Sequence, residues 1–443
     1  MTDLMSIGAS GLRAYRDALG TTSDNIANAQ TAGYVRRTVR LAEAPGSGDM
    51  ALYRAATAPA GVLVDGIQRS VDQWLVEDSR TSIAGSGRAS SRLQWLEAAE
   101  RALDDGENGV GQSLTSMFNA ADTLSADPSS AAWRLSFVQS VGSAVEAFRR
   151  TAGELQSVAD GIAASAAAGV DQVNSDVAAL QRVNQGLLRA REGSTNQASL
   201  LDERDRLLDS LSEALPISVG FDAQGTATVR VGSSSGPVLL DGPAIGQVAV
   251  SIGSTGLLAI DVAGSAIAPA SGSFSGLAAA ASSVAGQRLA LDQLAGDFAS
   301  GINAAHQAGT DSNGNPGGPL VSFAGTAASL TALPVSAGEV AAADASGDNG
   351  NMLQFSSLRG AGGTEQGWAQ MVAVHAQAVS GARAEESAAS TRREGALAAR
   401  DELSAVDLDH EAAELLRFQQ AYEGSARVIQ VARETFQSIL SAL

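Results

Sequence analysis

The chain has 443 residues and neither a cysteine nor a lysine among them. Without thiols there is no disulfide, no thiolate nucleophile and no Cys-ligated metal site. All 29 of its basic residues are arginines, which a G+C-rich genome explains without a functional role. Aromatic residues make up only 4%, so the cores are expected to be built from Ala, Leu and Val. Small side chains of that kind favour closely packed helices over wide, aromatic-filled interiors. No run of 18 apolar residues occurs, so no membrane span is expected. The opening MTDLMSIGASGLRAYRDALG lacks the basic region and unbroken apolar core of a secretory signal. That reads as cytoplasmic, or as a chain exported unfolded through a dedicated channel without a cleaved signal peptide. The net charge of −19 argues against nucleic acid, because phosphate binding needs clustered cations.

Catalytic constellations are missing as well. The three histidines, His306, His375 and His410, stand far apart in different patterns, so no triad or metal cluster is expected. The stretch DSNGNPGGPLVS (311–322) imitates a calcium loop through Asp311, Asn313 and Asn315. It carries Pro316 at the sixth position and Ser322 at the twelfth, where such a loop needs Gly and a bidentate Glu, so it reads as a turn. Asp202, Glu203, Asp205 and Asp209, interleaved with Arg204 and Arg206, read as a solvated helix face. No cofactor and no catalytic residue is predicted.

What is present is helical period, with 44% hydrophobic residues to bury and length for two to four domains. From Thr2 to Asn28, Met5, Leu12, Leu19 and Ile26 recur every seven residues, and Gly8, Tyr15 and Thr22 follow the first three of them by three. Gly8, Gly11 and Gly20 each weaken this helix by roughly 1 kcal/mol relative to Ala, so alone it is marginal. Residues 34–41 and 61–67 read as a strand pair joined by an Ala/Pro/Gly-rich loop over 42–60. Helix is predicted from Gln73 to Leu103, interrupted at Gly85–Gly87, and again from Val110 to Leu124. A long helix is predicted from Ser130 to Arg191, about 90 Å by helical rise, which implies a rod-like bundle. Ser199 is expected to cap a return helix ended by Pro216. Short β-rich runs over 216–270 predict a small inserted β domain, after which helix returns at Gly276–His306 and again from Thr364.

The last helix carries the strongest signal. Leu408, Leu415, Tyr422, Ile429, Phe436 and Leu443 recur at seven without a miss, and Glu411, Phe418, Ser425, Ala432 and Ile439 hold the position three residues later. The expected fold is therefore mainly α with a smaller β part: a long antiparallel, coiled-coil-like helical bundle built from both chain ends and the interior. The predicted divisions are 1–33 (amino-terminal helix and turn), 34–215 (helical rod with a short hairpin), 216–275 (small β domain), 276–405 (returning helices with irregular 308–363) and 406–443 (carboxy-terminal helix).

One stretch, TTSDNIANAQTAGYVRR (21–37), concentrates Asn25, Asn28, Gly33 and Tyr34 between a helix and a strand. Asn side chains there can cap free backbone groups, and Gly33 can take a conformation closed to other residues. With Ser10-Gly11-Leu12, Ala18-Leu19 and Asn25-Ile26-Ala27-Asn28, it resembles the amino-terminal signature of the bacterial flagellar axial proteins of rod, hook and hook–filament junction. The segment GVLVDGIQRSVDQWLVEDSR (61–80) continues the likeness. At the other end LLRFQQAY (415–422) is similar to the junction members in particular. The resemblance implies a structural, non-enzymatic, extracellular flagellar subunit that forms a ring in the axial tube. It implies hook protein on one side, a second junction protein on the other, and an export chaperone holding the carboxy-terminal helix before secretion. The assembly residues, taken from the two seven-residue seams, are Met5, Leu12, Tyr15, Leu19 and Ile26 at one end, and Leu408, Leu415, Phe418, Tyr422, Ile429, Phe436 and Ile439 at the other. A rod or hook subunit is the alternative within the family. A flagellum-exported cell-wall hydrolase is the alternative outside it, and Asp222, Asp241 and Asp261 in the β region show no partner pattern for that chemistry.

Overall fold

A computed structural model describes residues 2–44 and 61–442. The predicted loop over 42–60 lies outside the described residues from 45 onward, as does Leu443 of the carboxy-terminal seam. The chain is mainly helical with small sheets. Its helices are α1 (Thr2–Asn28), α2 (Gln73–Ala102), α3 (Val110–Ala126), α4 (Ala131–Leu187), α5 (Thr195–Ala214), α6 (Ser273–Gln307), α7 (Gly350–Phe355), α8 (Thr364–Ser404) and α9 (Leu408–Ala442). Helix α2 runs unbroken through Gly85–Gly87, so the predicted interruption is absent; a glycine costs a helix too little to break one fixed by packing. Helix α5 begins earlier than expected. Ser194, not Ser199, is its cap, accepting from the Gln197 N–H at 3.1 Å.

Two compact units share the chain. The first comprises residues 1–84, 172–247 and 391–443, and the second 85–171 and 248–390. The first unit holds the antiparallel hairpin β1 (Arg37–Glu43) with β2 (Val62–Arg69), whose register shifts at Arg40/Leu41. It also holds the antiparallel sheet β3 (Ile217–Phe221), β4 (Ala227–Val231), β5 (Val238–Asp241) and β6 (Ala244–Ile245). The second unit holds a separate sheet, β7 (Val248–Ile252), β8 (Leu258–Val262) and β9 (Ser265–Ile267). The segment 216–275, read from sequence as one β domain, is thus two meanders belonging to different units. Period-2 patterning reports strands but not which strands share a ladder.

The interior of the second unit departs from the aliphatic core expected from composition. Phe118, Phe137, Phe148, Phe274, Phe298, Phe355 and Trp368 are fully buried in it. Phe148 stacks on Phe298 with centroids 5.4 Å apart, and Phe137 meets Phe355 edge to face at 5.4 Å. The chain's few aromatics are concentrated rather than spread. At about 0.5–1.5 kcal/mol per ring pair beyond burial alone, they anchor this unit.

Candidate functional site

In the first unit the two chain ends pack against each other as antiparallel helices. Ile429 and Ser425 of α9 lie over Gly8 and Gly11 of α1, Phe418 faces Tyr15 with ring centroids 6.5 Å apart, and Glu411 meets Asn25. The seam on α1 is Gly8, Gly11, Tyr15, Ala18, Thr22 and Asn25, spaced three and four. It shares Gly8, Tyr15 and Thr22 with the predicted seam. The other set is displaced by one residue, because Met5, Leu12 and Leu19 are only half-buried on its flank and Ile26 is exposed. The cause is the glycines. A Cβ on Gly8 would stand 2.6 Å from Ile429 Cγ1, and one on Gly11 2.6 Å from Ser425 Oγ, so the backbones approach where side chains are smallest. Residues that weaken α1 in isolation make room for α9.

On α9 the predicted companions Glu411, Phe418, Ser425 and Ala432, together with Leu415 and Ile429, face α1 and are buried or half-buried. Leu408, Tyr422, Phe436 and Ile439 are exposed, and so are Leu416, Val428, Val431 and Leu440 off the seam. Since Gly8 opposes Ile429, Phe436 and Ile439 lie beyond the first described residue of α1.

The Asn-rich turn is where α1, the hairpin and α9 are tied together. Asn25 and Glu411 are each 1% exposed. The Asn25 carboxamide uses its full bonding capacity. Its Oδ1 accepts from the Arg37 N–H at 3.0 Å and the Tyr34 hydroxyl at 2.9 Å. Its Nδ2 donates to the Arg37 carbonyl at 2.8 Å and to Glu411 Oε2 at 3.0 Å. Arg36 Nε donates to the other Glu411 oxygen at 2.7 Å. Asn25 thus docks on the strand backbone rather than capping its own helix. Asn28 stays local, donating to the Asp24 carbonyl at 2.9 Å. Gly33, at φ +78°, makes the left-handed turn that brings Tyr34 back. Burial pushes the Tyr34 hydroxyl up to about 12, against the pull of Arg37, so it remains a neutral donor to Asn25. Where the hairpin passes the α4–α5 connection, Gly66 and Gly193 nearly touch, and the Ile67 N–H donates to the Gly193 carbonyl at 2.8 Å.

Sequence reasoning missed the second half of the site. Asp202, Asp205 and Asp209 do not form a solvated face; their side chains are only 12%, 17% and 24% exposed. They line one stripe of α5 and take arginines from four other elements. Arg37 of β1 (2.6 Å) and Arg69 of β2 (2.7 Å) bind Asp202, and Arg69 also reaches Asp205 (2.8 Å). Arg80 of α2 (2.9 Å) and Arg400 of α8 (2.8 Å) bind Asp209. Arg204 pairs with Asp205 and stacks on Phe221, while Glu203 and Arg206 form the exposed pair of this helix. Burial pushes the Asp202 carboxyl up in spite of Arg69 and Arg37. Burial acts on Asp205 in the same sense, but Arg204, Arg69 and Arg80 together outweigh it and hold that carboxyl below the usual range. The i, i+3, i+7 spacing was the available signal; the partners, scattered from 37 to 400, gave none.

A cleft of about 280 Å³ lies beside this ladder, lined by Gly33, Tyr34, Leu75, Arg69, Arg80 and Arg400. Arg69, Arg80 and Arg400 in its wall are each paired with a carboxylate of the ladder. Among the described residues no group of three His, Asp or Glu could hold a metal ion, and no helix is long and apolar enough to cross a membrane. The 311–322 turn closes on itself, with Asp311 accepting from the Asn313 and Asn315 N–H groups at 2.7 and 2.8 Å.

Comparison with known proteins is consistent along the chain. Residues 5–34 match the flagella basal body rod protein model, and residues 395–442 match the flagellar basal body rod FlgEFG protein C-terminal model. Flagellar hook-associated protein 1 of Salmonella typhimurium is 28% identical over 56% of this chain, and that of Escherichia coli 25% identical over 56%. These matches span less than half of those relatives, 44% and 45% of their lengths. Flagellar hook-associated protein 1 of Bacillus subtilis is 26% identical over 98% of this chain and 96% of its own length. A solved structure of the flagellar hook junction protein FlgK from Burkholderia pseudomallei aligns with a TM-score of 0.48 at 21% identity, covering 56% of this chain and 46% of that one. Over residues 96–321, about half of its length, the chain matches the flagellar hook-associated protein FlgK helical domain, and to that family it belongs.

Proposed function

We propose that the chain is a structural subunit of the bacterial flagellum at the junction between hook and filament, assembling through its terminal helices. The observation that carries this reading is the α1–α9 pair, tied by Asn25 and Glu411 yet exposing Leu416, Val428, Val431, Phe436, Ile439 and Leu440. A helix pair with apolar residues on its outer side is half of an interface. Covering the exposed part of each such side chain stabilises an assembly by about 1 kcal/mol before ordering costs. The proposed neighbours are further copies in a ring of the axial tube, hook protein on one side and a second junction protein on the other. An export chaperone is proposed to hold α9 beforehand, with export needing no cleaved signal peptide. No catalytic step is part of this role, and the working place is outside the cell.

The match of the interior to the hook-associated helical domain favours the junction over the rod or hook, whose models match only the ends. The test is deletion of residues 408–443. The truncated protein is expected to stay soluble, keep the second unit folded, and leave cells with hooks but no filaments. A truncated protein that still joins the hook and supports a filament overturns the reading.

A further inference from the structure

The second unit contains a buried histidine that the assembly role does not use. His306, in the last turn of α6, is fully buried. Its Nδ1 lies 2.6 Å from the Gly318 carbonyl, and its Nε2 lies 2.9 Å from the Ala341 N–H. A carbonyl only accepts and a backbone N–H only donates, so the partners fix the tautomer: Nδ1 carries the proton and Nε2 is bare. One neutral ring thus joins α6 to two separate points of the irregular segment that follows it.

The neighbouring carbonyls are already committed, while Asn351 Oδ1 is buried without a partner. The Ala341 carbonyl accepts from Asn351 Nδ2 at 2.6 Å, and the Val340 carbonyl from Arg134 Nη1 at 2.7 Å. Ala341 is itself fully buried. A Cβ on Gly317 would fall 2.8 Å from His306 Nδ1 and 2.7 Å from the Ala341 Cβ, so the ring has no space to swing aside. The charged groups closest in chain or by hydrogen bond to this segment are Arg134 of α4, Asp311 in the turn after α6, Glu339 and Asp344 flanking 340–343, and Asp348 before α7. Helix α7, the remaining neighbour, has none. Asp311, Glu339 and Asp344 are occupied with their own turns, and the cation of Arg134 is the charge fixed on the 340–341 stretch.

We propose that His306 is an acid-sensitive latch: its neutral ring holds residues 309–343 onto the end of α6, and its protonation releases them. A proton on Nε2 sets N–H against N–H and strands the buried Ala341 donor. Burial, against the opposing effect of the Gly318 carbonyl, holds the ring below its ordinary 6.5. The contribution is therefore whole above that value and shrinks as pH falls below it towards the folded-state pKa.

The test is amide hydrogen exchange on the full chain, corrected for intrinsic rates, with wild type and His306→Gln. In wild type, protection over 309–343 is expected to fall about tenfold or more between about pH 7 and about pH 4.5, while α3 and α4 keep theirs. His306→Gln presents a non-titrating acceptor to the Ala341 N–H and is expected to keep its protection. Unchanged wild-type protection, or an equal loss in His306→Gln, overturns the proposal. Where the variant does not fold, the ring resonance of wild-type His306 decides. Protonation in step with loss of protection supports the latch; protonation with 309–343 still protected, or release with the ring still neutral, overturns it.

Discussion

The two units solve the problem of cohesion by different means. The second is held by a concentrated set of rings, with six of the ten phenylalanines fully buried. The first has none of those rings; it is held by Ala, Leu and Val contacts, one saturated carboxamide and a ladder of arginines on three aspartates. A ring pair is satisfied by several offset-stacked or edge-to-face arrangements, whereas a fully bonded polar group accepts one. The unit that carries both chain ends is thus the one with the more exacting geometry. Such polar ties fix register more than they add stability.

That contrast can be broken from either side. Asp205→Ala leaves Arg69, Arg80 and Arg204 without a shared partner and is expected to cost about 3–5 kcal/mol. Phe298→Ala removes the ring stacked on Phe148 at a similar cost of about 3–5 kcal/mol. Region-resolved hydrogen exchange should show each loss confined to its own unit. A uniform loss from either variant would merge the two units into one cooperative body.

A finer test lies within α1. Gly8→Val drives a side chain into Ile429 and is expected to weaken the helix pair by about 1–3 kcal/mol. Gly20 has nothing within 4 Å of its missing Cβ, so Gly20→Ala is expected to stabilise α1 by about 1 kcal/mol. Exchange rates of α1 and α9 amides read both, and equal signs would remove the close-approach argument.

The smallest effect per step is the order of acid loosening. Burial holds both His306 and His375 below their ordinary 6.5, so the second unit begins to lose stability as pH drops past that value. In the first unit Asp205 is held below its ordinary 3.8, so its contribution stays whole down to that value and is lost beneath it. Each group contributes up to about 1.4 kcal/mol per pH unit. Paired circular dichroism and exchange across an acid titration should find the second unit yielding first.

What could be read from sequence was whatever is local. The seven-residue period of α9 is written in consecutive turns; Leu415, Phe418 and Ile429 are half-buried on it, while Leu408, Tyr422 and Phe436 of the same period are exposed. The hairpin was legible from alternation, and its pairing from 37–43 to 62–69 follows. Gly8 and Gly11 were legible only as weak points, because a glycine's value as a contact depends on what approaches it. The acidic stripe on α5 looked solvated because its arginines come from β1, β2, α2 and α8. Asn25 was conspicuous, but one of its four bonds goes to Glu411, and no short window of sequence contains both.

The bond from Asn25 to Glu411 joins positions 386 apart. Closing so long a loop is slow and entropically dear, and it cannot occur until residue 411 has been synthesised. The fourth bond of the amino-terminal turn therefore waits until residue 411 has been made. A pairing that matures in this order leaves α1 and α9 apart while the chain between them folds, then fastens them to one another in a late event.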